Sequence, residues 1–273
     1  MLLTREKLIK DLGYEIKDLS LYKDDKSVKI LTIPENVEVI GEDCFYNLKN
    51  IEKVILPENL ISINQSAFYG CKSLKEIVFN KNLQFIDKTA FSFCDIKSLN
   101  LPKNFKLVGD KAFAFMTSLE DIKFENENTK ISENAFGCCY NLKSVILPKN
   151  LKVLPTNLFF NCVNLENVEF GDIEKIDMSA FFNTLKFTKL ILPKSLKKLD
   201  ENFVHVSPCL LTDDYNNTAD SYKMEVFSYA GDSVNEVVKK NKFTNLHELS
   251  LDKLLDAGKS FKEINNAYKE IER

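Results

Sequence analysis

The side chains of this sequence best suited to chemistry are seven cysteines and two histidines, and their spacing decides what they can do. Cys71, Cys94, Cys139 and Cys162 each stand three residues after a phenylalanine, and Met116, Thr184 and Leu48 fill the same slot elsewhere. A slot that accepts all of these wants a small, mostly apolar side chain, so the cysteines are read as a ladder of buried thiols. Stacked neighbours could come near disulfide distance, but a disulfide also needs a particular dihedral and an oxidising compartment. Metal binding is a poor match. There is no C-x-x-C spacing, Cys138 and Cys139 would point apart on a regular backbone, and His205 with Cys209 is an isolated pairing.

His205 and His247 are the two available imidazole bases. No nucleophile elbow, phosphate-binding loop, dinucleotide fingerprint or zinc-protease helix occurs. The carboxylate pairs Asp24-Asp25 and Asp213-Asp214 are ordinary loop chemistry. The reading is therefore a non-enzyme without cofactor or metal, and an enzymatic alternative would have to place its site in the polar 205–220 loop.

Composition narrows the classes further. The chain has 273 residues, 28% charged and 44% hydrophobic, which suits one large globular body or two. A net charge of −3 and a pI near 5.7 offer a polyanion nothing, so Lys197-Lys198 and Lys239-Lys240 read as solvated faces rather than a nucleic-acid site. No apolar run approaches membrane-spanning length, so membrane insertion is not expected. The opening MLLTREKLIKDLGYEIK lacks both a continuous apolar core and a small-residue cleavage site. Cytoplasmic placement is the expectation, and export after removal of a signal is the alternative.

What positions all these residues is a repeat. Phe45, Phe68, Phe91, Phe113, Phe136, Phe159 and Phe181 are separated by 23, 23, 22, 23, 23 and 22 residues, and Val204 stands 23 further on in a degenerate eighth copy. A fixed period in this range marks a solenoid, where each coil buries its apolar residues against its neighbours. Each copy carries an L-x-x-L-x-L-x-x-N segment, such as Ile51, Val54, Leu56 and Asn59, whose alternation is that of a strand with one buried face. An apolar residue stands five before each phenylalanine, from Ile40 to Ile176, and a small residue usually precedes the ring directly. Pro34, Pro57, Pro102, Pro148 and Pro193 end strands, with Asn80, Glu125 and Gly171 in the same slot between them.

Leu142 to Cys162 reads L-x-x-V-x-L-P-x-N-L-x-x-L-x-x-x-L-F-x-x-C, and this resembles the BspA-like class of leucine-rich repeats. The resemblance covers about two thirds of the chain and implies a right-handed solenoid, with a parallel sheet on its concave side and short helical or extended turns opposite. It also implies that Phe227 to Phe243 closes the array with a strand, a glycine turn and a short helix capped by Asp232 or Ser233. Members of that class are often secreted or surface proteins implicated in adhesion and host contact.

The expected organisation is therefore an α/β leucine-rich repeat solenoid in four parts. Residues 1–27 form an N-terminal cap, in which Thr4 caps a short helix with Leu8, Ile9 and Leu12 as its apolar stripe, Gly13 stops it, and Tyr14 to Leu21 adds a strand. Residues 28–204 hold about eight repeats of 22–23 residues. Residues 205–246 hold an inserted loop and the closing unit. Residues 247–273 form a helical tail with Leu251, Leu254, Leu255, Phe261, Ile264, Tyr268 and Ile271 on one face, which either packs on the last coil or docks another chain.

Strand residues pointing away from the core should form two rows. One holds Lys53, Glu76, Ser98, Asp121, Ser144, Asn167 and Lys189; the other holds Thr32, Ile55, Val78, Asn100, Lys123, Ile146, Glu169 and Ile191. Most of these would stand on any solvated sheet, and β-branched residues there also serve strand propensity. The aliphatic members nevertheless sit where a protein or peptide partner would dock. The expected partner-binding set is Lys53, Ile55, Glu76, Val78, Asn100, Asp121, Lys123, Ile146, Glu169 and Ile191. The function expected is a non-catalytic interaction module, with a surface adhesin or secreted effector as the alternative.

Overall fold

The computed structural model describes residues 1–187 and 189–203, together with the strands Met224–Ser228 and Thr244–Glu248. Each coil holds two short strands, and both stack in parallel on the next coil. The longer strands make the face expected from the alternating segment. They fall into three groups: Ile30–Thr32, Lys53–Ile55 and Glu76–Val78; then Ser98–Leu101, Asp121–Phe124, Ser144–Ile146 and Asn167–Glu169; then Lys189–Leu192, Met224–Ser228 and Thr244–Glu248. The second row of two-residue strands runs from Leu2–Leu3 through Val39–Ile40, Ser62–Ile63, Phe85–Ile86 and Leu107–Val108 to Lys130–Ile131. It resumes at Val153–Leu154, Lys175–Ile176 and Lys198–Leu199.

The breaks in the two rows differ. On the longer-strand face, paired coils place equivalent residues 23 apart, as at Leu31, Val54 and Ile77 or Leu99, Ile122, Val145 and Val168. Pairing lapses where the step is 22, from Ile77 to Leu99 and from Val168 to Leu190. Coil length alone does not break a ladder, since the second row pairs across steps of 22 at Phe85–Leu107 and Val153–Lys175. The second row parts for a reason its residues show. The residue after each short strand donates its N–H one coil back, as Asn64 does to Ile40 O at 2.9 Å and Ser132 to Val108 O at 2.9 Å. Pro155 occupies that slot after Val153–Leu154 and has no N–H to give, so the link to Lys130–Ile131 is lost.

Between the two strands the chain turns around its phenylalanine. Phe45, Phe68, Phe91, Phe113, Phe136, Phe159 and Phe181 are fully buried, and neighbours stack at 4.9 to 6.1 Å between ring centroids. Burying one such ring is worth roughly 2 to 3 kcal/mol before chain entropy is counted. The turns are neither helical nor extended. Residues two before and two after each ring have positive φ, for instance Asn134 at 55° and Cys138 at 61° around Phe136. This alternation lets every other N–H reach the next coil, as Phe113 N does to Ala135 O at 3.0 Å and Phe115 N to Gly137 O at 2.8 Å. Gly70 shows the slot's preference: its φ is +70°, and a Cβ there would collide with Asn47 Oδ1. The eighth copy begins in the same way, since Phe181 N donates to Phe203 O at 2.9 Å; Val204 lies outside the described residues.

The motif asparagines bind one coil to the previous one. Asn59, Asn82 and Asn104 donate Nδ2 to Glu35 O at 3.1 Å, Glu58 O at 2.8 Å and Lys81 O at 2.9 Å. Asn80, where other copies have proline, holds its turn through Leu60 O at 3.1 Å and through Asn82 N at 2.9 Å.

At the N-terminal end, Thr4 accepts from Lys7 N at 3.2 Å and caps the helix Arg5–Lys10. Leu8 is buried and Leu12 packs on the core, but Ile9, expected in the same stripe, is exposed. Leu2–Leu3 pairs with Val39–Ile40 and covers the first edge of the second sheet. Tyr14–Lys17, Ser20–Lys23 and Lys26–Ser27 form an antiparallel meander, with both of its two-residue turns, Asp18-Leu19 and Asp24-Asp25, at positive φ. At the other end, Thr244–Glu248 lies parallel to Met224–Ser228 and extends the sheet, so residues 247 and 248, expected to begin the helical tail, are strand. The inserted loop, the short closing helix and the rest of the tail fall outside the described residues.

Candidate interaction surface

The ladder thiols are removed from chemistry by the fold. The six cysteines among the described residues are buried and unpaired as disulfides. Burial pushes the Cys44 and Cys71 thiols up to about 12 and raises Cys94, Cys139 and Cys162 as well. Their slot is not merely apolar. Cys71, Cys94, Cys139 and Cys162 donate Sγ–H to the phenylalanine carbonyl of an earlier coil, at 3.1 Å to Phe45 O, 3.2 Å to Phe68 O, 3.2 Å to Phe113 O and 3.1 Å to Phe136 O. Among the described residues no group of three or more His, Cys, Asp or Glu could hold a metal, and no helix is long and apolar enough to cross a membrane. His205 and Cys209 lie outside them, and His247 stands in register with Phe227 on the last described strand.

That leaves the strand face, where the buried alternate residues Val54, Leu99, Ile122 and Val145 hold their neighbours outward. The two expected rows exist but are not continuous, because strand pairing lapses between Glu76–Val78 and Ser98–Leu101 and between Asn167–Glu169 and Lys189–Leu192. Val78 has no strand partner in Asn100, nor Glu169 in Ile191.

The first segment is aliphatic. Thr32, Ile55 and Val78 stand in register, and beside them Ile30, Lys53 and Glu76. Val78 is 80% exposed, Ile30 59% and Ile55 45%, while Lys53 Nζ meets Glu76 Oε2 at 2.6 Å. A depression of about 400 Å³ lies here, walled by Lys53, Ile55, Val78, Phe79 and Lys81. Ile30 was not in the expected set, although its alternation with the exposed Thr32 places it on this face.

The second segment is polar. Asn100, Lys123, Ile146 and Glu169 form one row and Ser98, Asp121, Ser144 and Asn167 the other, all exposed. Ile146, 48% exposed, is the aliphatic member. A depression of about 520 Å³ includes Lys123, Ile146 and Glu169 with Lys103, Lys149 and Gly171. Gly171 is required by close approach, since a Cβ there would meet Lys149 O at 2.3 Å. The third segment carries Ile191, which is half-buried rather than exposed and stands in register with Phe227. The expected set is thus divided: Lys53, Ile55, Glu76 and Val78 lie together, Asn100, Asp121, Lys123, Ile146 and Glu169 lie together, and Ile191 stands apart.

Residues 15–114 and 85–210 match the BspA type leucine rich repeat region, in six copies. The chain belongs to this family. Solved structures similar to the chain include a leucine-rich repeat protein from Bacteroides ovatus ATCC 8483, 26% identical, with a TM-score of 0.59 over 75% of this chain and 55% of that one. The T. pallidum leucine rich repeat protein TpLRR is 25% identical, with a TM-score of 0.56 over 68% of this chain and 89% of its own. The chain spans just over half the length of the Bacteroides ovatus protein. No curated protein matches the chain. The cytoplasmic placement expected from the first residues draws no support from these likenesses.

Proposed function

We propose that this BspA type repeat protein is a non-catalytic interaction module that binds a protein or peptide across its strand face, with the Ile30, Ile55 and Val78 patch as the principal contact. The observation that carries the reading is Val78, 80% exposed and in register with Ile55 on strands whose other side is locked in the core. Covering such a side chain returns roughly 1.5 to 3 kcal/mol. Because the strands are already held in place, little ordering cost is set against that gain. The Lys53–Glu76 pair at the edge gives the patch a polar rim that can orient a partner.

The double substitution Ile55→Lys with Val78→Glu tests this. It recreates the kind of pair that Lys53 and Glu76 already form, so stability should change by less than about 0.5 kcal/mol. The protein partner recovered from source-cell extract on the immobilised wild-type chain should no longer be retained by the variant. Undiminished retention would move the site off this patch. Family membership favours a setting at the cell surface, as an adhesin or secreted effector would have; surface labelling of intact cells should mark the protein, and labelling only after lysis would return it to the cytoplasm.

A further inference from the structure

The two depressions of the strand face differ in how their charges are used. At the first, Lys53 meets Glu76 at 2.6 Å and Lys81 meets Glu58 at 3.9 Å. Such pairs between coils recur elsewhere, as Lys143 with Glu120 at 2.8 Å and Lys197 with Glu174 at 2.7 Å. The second depression is walled by three lysines and three glutamates: Lys103, Lys123, Lys149, Glu125, Glu127 and Glu169. All six are exposed, and among the described residues none of them forms an ion pair.

The register keeps these charges apart. Lys123, Ile146 and Glu169 stand in one row on successive strands, so the backbones of Lys123 and Glu169 are two strand spacings, about 9.5 Å, from each other. The other neighbour of Lys123 in that row is Asn100. Lys103 and Lys149 stand in the coils before and after Asn126, whose Nδ2 donates to Phe105 O at 2.8 Å. Asp172, next in that line, is taken by Lys152 at 3.8 Å. Between the charges lies apolar surface: Ile146 is 48% exposed, and the buried Phe124 and Leu147 line the floor. The volume of about 520 Å³ falls within the range of ligand sites, about 300 to 1,000 Å³.

Opposite charges held apart over an apolar centre suit one kind of occupant. A ligand of a single sign would meet three like charges on the same wall, which offset what the other three give it. A ligand with both signs, set apart by a similar distance, pairs with each. In an extended peptide, residues two apart share a face and lie about 7 Å from each other, and long acidic and basic side chains span the rest.

We infer that this depression binds an extended peptide segment carrying an acidic and a basic side chain two residues apart, the acid on Lys123 and the base on Glu169. The inference rests on the strand face being an interaction surface, and it adds to the aliphatic patch a second contact that selects the partner's charge pattern.

Fluorescence anisotropy titration of the whole chain with labelled, end-blocked seven-residue peptides tests it. The peptides share one neutral background and carry, two residues apart, one Glu and one Arg, two Glu, two Arg, or neither. The mixed peptide should bind the wild type at least tenfold tighter than the others. Glu169→Lys should turn the preference to the peptide with two Glu, and Lys123→Glu to the one with two Arg, while the double variant regains the mixed peptide. Both side chains are exposed, so the melting temperature should hold in all three. A like-charged or neutral peptide bound best by the wild type, no peptide bound at all, or a preference that neither substitution turns would each overturn the assignment. So would loss of the mixed-peptide preference in the Ile55→Lys, Val78→Glu variant. Retention of the partner by that variant judges the aliphatic patch and the turned preference judges this depression, so either can fail alone. A dimer in sedimentation that Glu169→Lys dissolves would seat a second copy here and overturn the separate partner.

Discussion

The inner stack of phenylalanines and the strand face are made by the same coils, yet they follow opposite rules. Along the stack, from Phe45 to Phe181, one residue type recurs at one depth, fully buried in every coil. Along the strand face the residue changes at each step, from Thr32 to Ile55 to Val78 and from Asn100 to Lys123 to Ile146 to Glu169, while the backbone stays the same. Periodic residues therefore carry the fold, and departures from the period carry whatever is particular to this protein.

The contrast is broken most forcefully by alkali, because the dry side of the coil holds thiols that must stay protonated. A thiol with an unfolded value near 8.5 and a raised folded value binds its proton more tightly when native. Its contribution is fully present below about pH 8.5 and is lost as pH rises toward the folded value, about 12 for Cys71. Each thiol then costs about 1.4 kcal/mol per pH unit, so Cys44, Cys71, Cys94, Cys139 and Cys162 together cost roughly 7 kcal/mol per unit. The urea midpoint should fall steeply between pH 8 and pH 9.5, and a flat profile would mean the thiols are wet.

Next in size, Phe136→Ala removes one ring from the middle of the stack and should cost about 3 to 5 kcal/mol in equilibrium unfolding. A loss below about 1 kcal/mol would remove the ladder from the core. The smallest effect tests the turns: Lys111, exposed at φ 54°, occupies the left-handed slot that Asn134 and Asn157 fill in the following coils. Lys111→Asn should stabilise by about 0.5 to 1 kcal/mol, read as a higher urea midpoint, because Asn enters that region at less cost. A decrease would show that the Lys111 side chain contributes more than its backbone strain removes.

Much of the solenoid is legible in one chain because burying a ring once per 23 residues leaves few choices besides stacking the coils. The N-cap at Thr4, the alternating strands and the small slot before each phenylalanine follow from the same local rules. Ile9 shows their limit. Its spacing suits the apolar stripe, but a helix as short as Arg5–Lys10 covers the core with little more than Leu8. The strand-face rows were legible residue by residue and not as a surface, since their division depends on which coils keep their strand pairing. Pro155 is an ordinary proline until the N–H it lacks is seen to be the one that other coils use to bond backward.

By itself the sequence determined the period, the buried ring ladder and the family, because apolar residues at fixed spacing can leave water together in one way. The tertiary structure alone decided which exposed residues are neighbours: the aliphatic patch of Ile30, Ile55 and Val78, and the split rows. Adjacency across coils is set by backbone path and hydrogen-bond register, and neither is a property of any short stretch of residues.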